Sequence, residues 1–111
     1  MSLSISTEAK GENTVVNVGG ELDVYTAPRL KKTLEQTLPG AERLVLDLSE
    51  VHFLDSTALG VLVGAQQLSE DKKSDLRLVV ADPFVLKIFH IAGFEGMFSI
   101  YPKLEEALAS D

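Results

Sequence analysis

The triplet Asp55-Ser56-Thr57 offers the most promising chemistry in this chain. Aspartate and serine are favoured at the N-cap of a helix, because their side-chain oxygens accept the free amide hydrogens of the first turn. The same position suits a phosphorylated hydroxyl, because the helix dipole and the free amides stabilise negative charge there. A phosphate would add about −1.5 to −2 charges without melting the helix. The triplet therefore predicts a helix cap, a regulatory serine, or both.

A serine nucleophile is a second chemistry to weigh at Ser56. It needs a histidine base within hydrogen-bond reach and a third group that orients the histidine. The sequence has two histidines: His52, which we interpret as a loop residue, and His90, which we interpret as a partly buried packing residue. The segment around Ser56 also lacks the G-x-S-x-G pattern of a nucleophile elbow. We therefore expect no catalytic residue and no enzymatic activity.

Three aspartates, Asp23, Asp47 and Asp55, are candidates for an acidic site. Carboxylates at loop ends can collect a Mg²⁺ ion, which prefers hard oxygen ligands, or act as an acid–base pair. One version resembles a receiver domain, whose phosphate-accepting aspartate follows a hydrophobic strand, as Asp47 does between Leu46 and Leu48. Receivers begin with a β-α-β unit, whereas this chain begins with two strands. We therefore expect no metal.

The glycines give no sign of a phosphate-binding loop. Gly19-Gly20 is not followed by the G-K-[ST] of a P-loop, and Gly60 and Gly64 fall inside a predicted helix. Their spacing of four residues predicts close packing against a neighbouring element. We expect no nucleotide and no other cofactor.

The first half of the chain predicts a hairpin followed by a helix. The alternation of Leu3, Ile5 and Thr7 with polar residues and the valine-rich segment over 14–18 predict two strands. The short turn between them allows only an antiparallel pair. Residues 19–23 are interpreted as a flexible link. Thr26 is a plausible N-cap for a helix that ends at Pro39-Gly40.

The second half predicts strands that alternate with helices. The expected elements are a buried strand over 44–48, a connection over 49–54, a well-buried helix over 56–69 and a strand over 76–80. Asp82-Pro83 is a strong start for a helix that stops at Gly93. A short strand over 98–101 and a closing helix through Leu104 and Leu108 complete the chain.

This order of elements predicts one α/β domain over residues 1–111. Strands separated by helices favour a parallel core sheet, here with an antiparallel strand at the front. Right-handed crossovers that step in one direction place the helices mostly on one face. We therefore predict a mixed, mostly parallel sheet of four or five strands, with an antiparallel N-terminal strand and about four helices.

Composition and charge narrow the possible partners. The 17 acidic and 10 basic residues give a net charge of −7, which argues against nucleic acid and favours a basic protein partner. No apolar run approaches the roughly 20 residues of a membrane span, so we expect no membrane partner. There is no cysteine, and the first residues lack the layout of a signal peptide. The expected location is the cytoplasm.

Three segments, 20–23, 46–51 and 53–60, together resemble the STAS domain and, more narrowly, the anti-sigma factor antagonists. The resemblance implies a protein that binds an anti-sigma factor and thereby releases a sigma factor. That partner is also a serine kinase and holds the ATP. It phosphorylates the serine after the motif aspartate, here Ser56, which dissolves the complex, and a serine phosphatase resets the switch. The alternative is a STAS scaffold subunit of a stressosome-like or lipid-transport complex.

The resemblance also implies a partner-binding surface around Ser56. Asp23 matches the acidic position of the family's Gly-Glu-Leu-Asp segment, which lies near the phosphorylated serine. Many relatives carry glycine at the position of Ala58, and alanine should keep the helix start intact. We assign the following residues to the partner surface: Glu21, Asp23, Asp55, Thr57, Leu59 and Gly60.

Overall fold

The computed structural model describes residues 2–109, and these residues form one five-stranded sheet with helices packed on it. The strands lie in chain order; β1 runs antiparallel to β2, and the remaining neighbours are parallel. The predicted α/β fold is therefore confirmed. The elements are β1 (Leu3–Lys10), β2 (Asn13–Leu22), α1 (Ala27–Thr37), β3 (Arg43–Leu54), α2 (Ser56–Asp71), β4 (Asp75–Val79), α3 (Pro83–Ile91), β5 (Ser99–Tyr101) and α4 (Leu104–Leu108).

The two faces of the sheet are covered unequally. Val16 and Leu46 face the main core, which α1, α2 and α3 cover, whereas Val15 and Val45 face a smaller core completed by Ala107 of α4. This division follows from the alternation of side chains along each strand. Three of the four helices that the structure describes thus share one face, as predicted. No helix within 2–109 is long and apolar enough to cross a membrane.

Strand β3 is longer than the sequence pattern indicated. Residues 49–54, interpreted as a connection, continue the strand to Leu54. The register against β2 shifts twice, so β3 holds an extra residue at each shift. These bulges place Leu48, Val51 and Leu54 in the main core at a spacing of three, where a regular strand would require two. The irregular spacing explains why the segment did not look like a strand.

The Gly19-Gly20 segment is a packed part of β2, and its interpretation as a flexible link is wrong. Gly20 has a φ of +110°, and a Cβ added there would lie 2.2 Å from the carbonyl oxygen of Ser2. Only glycine fits both this conformation and this contact. The pair therefore holds the end of β2 firmly against β1.

Helix α2 was expected to be well buried, but only one of its faces is. Ala58, Leu62 and Ala65 are buried against the core, whereas Gly60 and Gly64 are exposed. A Cβ added at either glycine would meet nothing within 4 Å. The expectation of close packing at these glycines is therefore wrong, and they form an open stretch on the outer side of the helix.

Local signals at α3 are confirmed. The carboxylate of Asp82 caps the helix by accepting hydrogen bonds from the amides of Phe84 (2.8 Å) and Val85 (3.3 Å). Gly93 follows the helix with a φ of +74°, the left-handed conformation common just after a helix. Strong capping residues thus fixed both ends of this element.

Candidate functional site

Strands β2 and β3 end side by side, and the candidate site lies at this carboxyl edge of the sheet. Leu22 pairs with Leu54 as the last residues of the two strands. The amide of Asp55 donates a hydrogen bond of 3.1 Å to the carbonyl of Leu22. The loop before α1 and the first turn of α2 are therefore neighbours. Loops at this edge commonly form binding sites in parallel sheets.

Asp55 is the N-cap of α2, as predicted. Its backbone is extended, and its Oδ1 accepts a hydrogen bond of 3.1 Å from the amide of Ala58. Its carbonyl accepts a second bond of 3.0 Å from the amide of Leu59. Ala58 is fully buried and anchors the turn to the core. The start of this helix is therefore fixed from both sides.

Ser56 and Thr57 are the first two residues of α2, and both are exposed. The first amides of a helix have no partners within the helix, and its dipole is positive at this end. A hydroxyl held here is open to a kinase, and a phosphate attached to it would meet a favourable field. The arrangement can thus display a serine and carry its phosphate.

Asp23 is buried, unlike the exposed Glu21 beside it. Its Oδ1 accepts hydrogen bonds from the amides of Tyr25 (2.9 Å) and Thr26 (3.0 Å). The hydroxyl of Thr26 donates to the carbonyl of Glu21 (2.7 Å) and accepts from the amide of Asp23 (2.9 Å). Thr26 is the N-cap residue of α1, as predicted, but its side chain makes no capping hydrogen bond to the helix.

Apolar side chains at this edge were missed by the reasoning from sequence. Val24 and Tyr25 in the loop before α1 and Phe53 near the end of β3 are all exposed, Tyr25 to 78%. The adjacent pair Val24-Tyr25 between a strand and a helix was a signal available in the sequence. An exposed apolar pair in a loop is informative when it lies beside a candidate site.

Leu59 and Gly60 continue the site along α2. Leu59 is half-buried and packs against the core, whereas Gly60 is exposed. Together with Thr57, Gly60 lines an open groove of about 530 Å³ between α1 and α2. The groove begins at the first turn of α2, so it is continuous with the surface around Ser56.

Each of the two histidines pairs with an acidic side chain. His52 lies on β3, not in a loop, and its Nδ1 is 2.8 Å from Oδ2 of Asp82. This hydrogen bond, with those from the capped amides, holds the pKa of Asp82 below its usual value despite some desolvation. His90 is exposed and pairs with Glu95 at 2.8 Å, so its expected partial burial is wrong.

The three aspartates considered as an acidic site do not share one place. Asp47 lies in the middle of β3 and accepts a hydrogen bond of 3.0 Å from the amide of Ser49. Asp55 instead directly follows β3, at the carboxyl edge of the sheet, where the buried Asp23 follows β2. Within residues 2–109, no three histidines, cysteines or acidic residues are grouped so as to hold a metal.

Comparison with known proteins gives a consistent result. The sequence model of the STAS domain matches residues 4–107 of this chain. The chain is 38% identical to an anti-sigma-B factor antagonist of Listeria monocytogenes over 103 residues, which is 88% of this chain and 90% of the relative. It is 30% identical to the anti-sigma-B factor antagonist of Bacillus subtilis, covering 95% of this chain and 96% of the relative.

A solved structure agrees with these sequence matches. The crystal structure of an anti-sigma factor antagonist from Mycobacterium paratuberculosis superposes with a TM-score of 0.87 at 32% identity. The superposition covers 96% of this chain and 92% of the other. Sheet, helices and the capped start of α2 therefore sit in a fold that a protein of this kind also adopts.

Proposed function

Because this chain belongs to the STAS domain family, we propose that it is an anti-sigma factor antagonist whose partner binding is controlled by phosphorylation of Ser56. Relatives named as anti-sigma-B factor antagonists match it over nearly their whole length. The observation that carries the proposal is the exposed Ser56 at a helix start that Asp55 caps. The site displays this hydroxyl at the carboxyl edge of the sheet, beside the loop before α1.

In the unphosphorylated form, the surface around Ser56 binds the anti-sigma factor, and the sigma factor is released. Glu21, Asp55 and the net charge of −7 favour a partner with a basic patch, because complementary charges speed association and set the register. The anti-sigma factor is also the serine kinase, and it holds the ATP. This chain needs no catalytic residue of its own and acts as a binding protein in the cytoplasm.

Phosphorylation acts at the surface and leaves the fold unchanged. A phosphate at the first turn of α2 interacts favourably with the helix dipole, by about 0.3–1 kcal/mol for an exposed group. The same phosphate adds about −1.5 to −2 charges where the partner must pack closely. Burying that charge without a compensating positive charge costs more free energy than the contact provides, so the complex dissociates. A serine phosphatase then restores the binding form.

The test uses three variants and a purified anti-sigma factor kinase with radiolabelled ATP. Ser56→Ala should bind the kinase but accept no phosphate, and Ser56→Asp should bind poorly because it carries a charge at the same place. Thr57→Ala is the matched control, because Thr57 is the neighbouring exposed hydroxyl on the same turn. It should still accept phosphate, because Ser56 is intact, although loss of a side chain from the partner surface can slow the reaction. Phosphate incorporation into Ser56→Ala at the wild-type level would show that the site is elsewhere.

A further inference from the structure

We propose that Val24, Tyr25 and Phe53 form the apolar centre of the surface that binds the anti-sigma factor, and that the buried Asp23 positions this centre. The inference rests on the proposed function and names the residues that should supply most of the binding energy. We refer to these three side chains as the apolar anchor.

The apolar anchor lies where the two parallel strands end. Glu21 pairs with Phe53 and Leu22 with Leu54, so Phe53 lies beside the strand end from which the Val24-Tyr25 loop departs. All three side chains are exposed: Val24 to 54%, Tyr25 to 78% and Phe53 to 42%. Single exposed apolar residues are ordinary, but a group at one edge of a sheet indicates a binding surface. Tyrosine is also among the residues that most often dominate interface energies.

Hydrogen bonds of Asp23 hold the loop in one conformation before any partner binds. Its Oδ1 accepts from the amides of Tyr25 and Thr26, and its own amide donates to the hydroxyl of Thr26. The carboxylate is buried and faces its own loop, so it is poorly placed to contact a partner. A loop that is ordered in advance loses less conformational entropy on binding. Asp23 therefore supports binding by positioning Val24 and Tyr25.

The charges around the apolar anchor identify its occupant. Glu21 is exposed beside Phe53, and Asp55 lies at the adjacent start of α2. A second copy of this chain would bring like charges together, and the same charges repel an anionic membrane surface. A protein with an apolar pocket bordered by basic residues is complementary to both features. Closing such a pocket over Tyr25 would also exclude water from nearby Ser56, which is why a phosphate there would prevent binding.

The experiment measures affinity by isothermal titration calorimetry. The anti-sigma factors encoded in the same genome are first purified and tested one by one against the unphosphorylated wild-type protein. The one that binds is the probe. Tyr25→Ala should weaken binding by about 30-fold, the effect of losing one dominant interface residue. Tyr25→Phe keeps the ring and should stay within about threefold. Ile91→Ala is the matched control, because Ile91 is exposed to 72% at the far end of α3.

Asp23 is tested with two variants that separate position from charge. Asp23→Asn keeps an oxygen for the amides of Tyr25 and Thr26, so binding should stay within about threefold of wild type. Asp23→Ala removes that oxygen and should weaken binding by about tenfold or more. Urea unfolding of each variant shows whether the protein remains folded. Equal losses in both variants would mean that Asp23 acts through its charge, and would overturn its positioning role.

Three further outcomes would overturn the role of the apolar anchor or the proposed function itself. Wild-type affinity in Tyr25→Ala would remove the apolar anchor from the interface while leaving the proposed function intact. A wild-type dimer in sedimentation analysis that Tyr25→Ala dissolves would assign the anchor to a second copy of the chain. If no anti-sigma factor binds the wild-type protein, the proposed function itself fails, and the inference fails with it.

Discussion

Replacing Asp55 with alanine should destabilise the protein by about 1 kcal/mol, because the change removes the N-cap of α2. The lost interaction is the 3.1 Å hydrogen bond from the amide of Ala58 to Oδ1 of Asp55. Ala58 is fully buried, so its amide cannot easily find water in exchange. For a domain of 111 residues this loss corresponds to a fall in Tm of about 4–6 °C.

Differential scanning calorimetry and urea unfolding measure this effect. Asp55→Asn is the matched control, because asparagine caps helices as well as aspartate does. It should unfold within about 0.3 kcal/mol of the wild type, since only the charge is removed. An alanine variant as stable as the wild type would refute the capping role. An asparagine variant as unstable as the alanine variant would show that charge, not the hydrogen bond, stabilises the helix start.

Three further predictions concern Gly60, His52 and Arg77. Gly60→Ala should raise the free energy of unfolding by about 0.5–1 kcal/mol, because glycine is costly inside a helix and the added Cβ meets nothing within 4 Å. The same variant should bind the anti-sigma factor more weakly in calorimetric titration, because Gly60 lines the groove beside Ser56. His52→Ala should lower the urea midpoint at about pH 5, and the difference should shrink as the pH falls below about 4. The pKa of Asp82 is lowered in the folded state, chiefly by His52, so its stabilising effect is complete above its usual value and is lost in acid. Arg77→Met should cost about 2–3 kcal/mol of unfolding free energy in urea, because the buried guanidinium donates to the carbonyls of Ala107 and Ala109; titration should show unchanged partner binding.

Most of the fold could be predicted because its signals are local. The short first turn specified an antiparallel pair, and Asp82-Pro83 and Gly93 marked the ends of α3. The full length of β3 could not be predicted. Its bulges change the spacing of buried residues from two to three, and bulges depend on the partner strand. The spacing of residues along one strand alone does not show where its partner strand will force a bulge.

In the candidate site, too, local features could be predicted from the sequence and features that depend on folding could not. Asp55 was predicted as a cap because capping uses only residues within one turn of the helix. The role of Asp23 was not accessible, because its hydrogen bonds form only once its loop folds back and is buried. Because Asp23 is acidic, the sequence predicted a charged contact with the partner. Burial instead directs the carboxylate to backbone amides of its own loop.

The central claim is that phosphorylation of Ser56 changes the surface and leaves the fold intact. The most direct measurement compares one preparation before and after phosphorylation, for affinity toward the anti-sigma factor by titration and for Tm by calorimetry. We expect at least about 100-fold weaker binding, the effect of a poorly compensated charge in an interface. The Tm should change by no more than about 3 °C, since the helix start favours the phosphate. Unchanged affinity, or binding lost together with unfolding, would contradict the account.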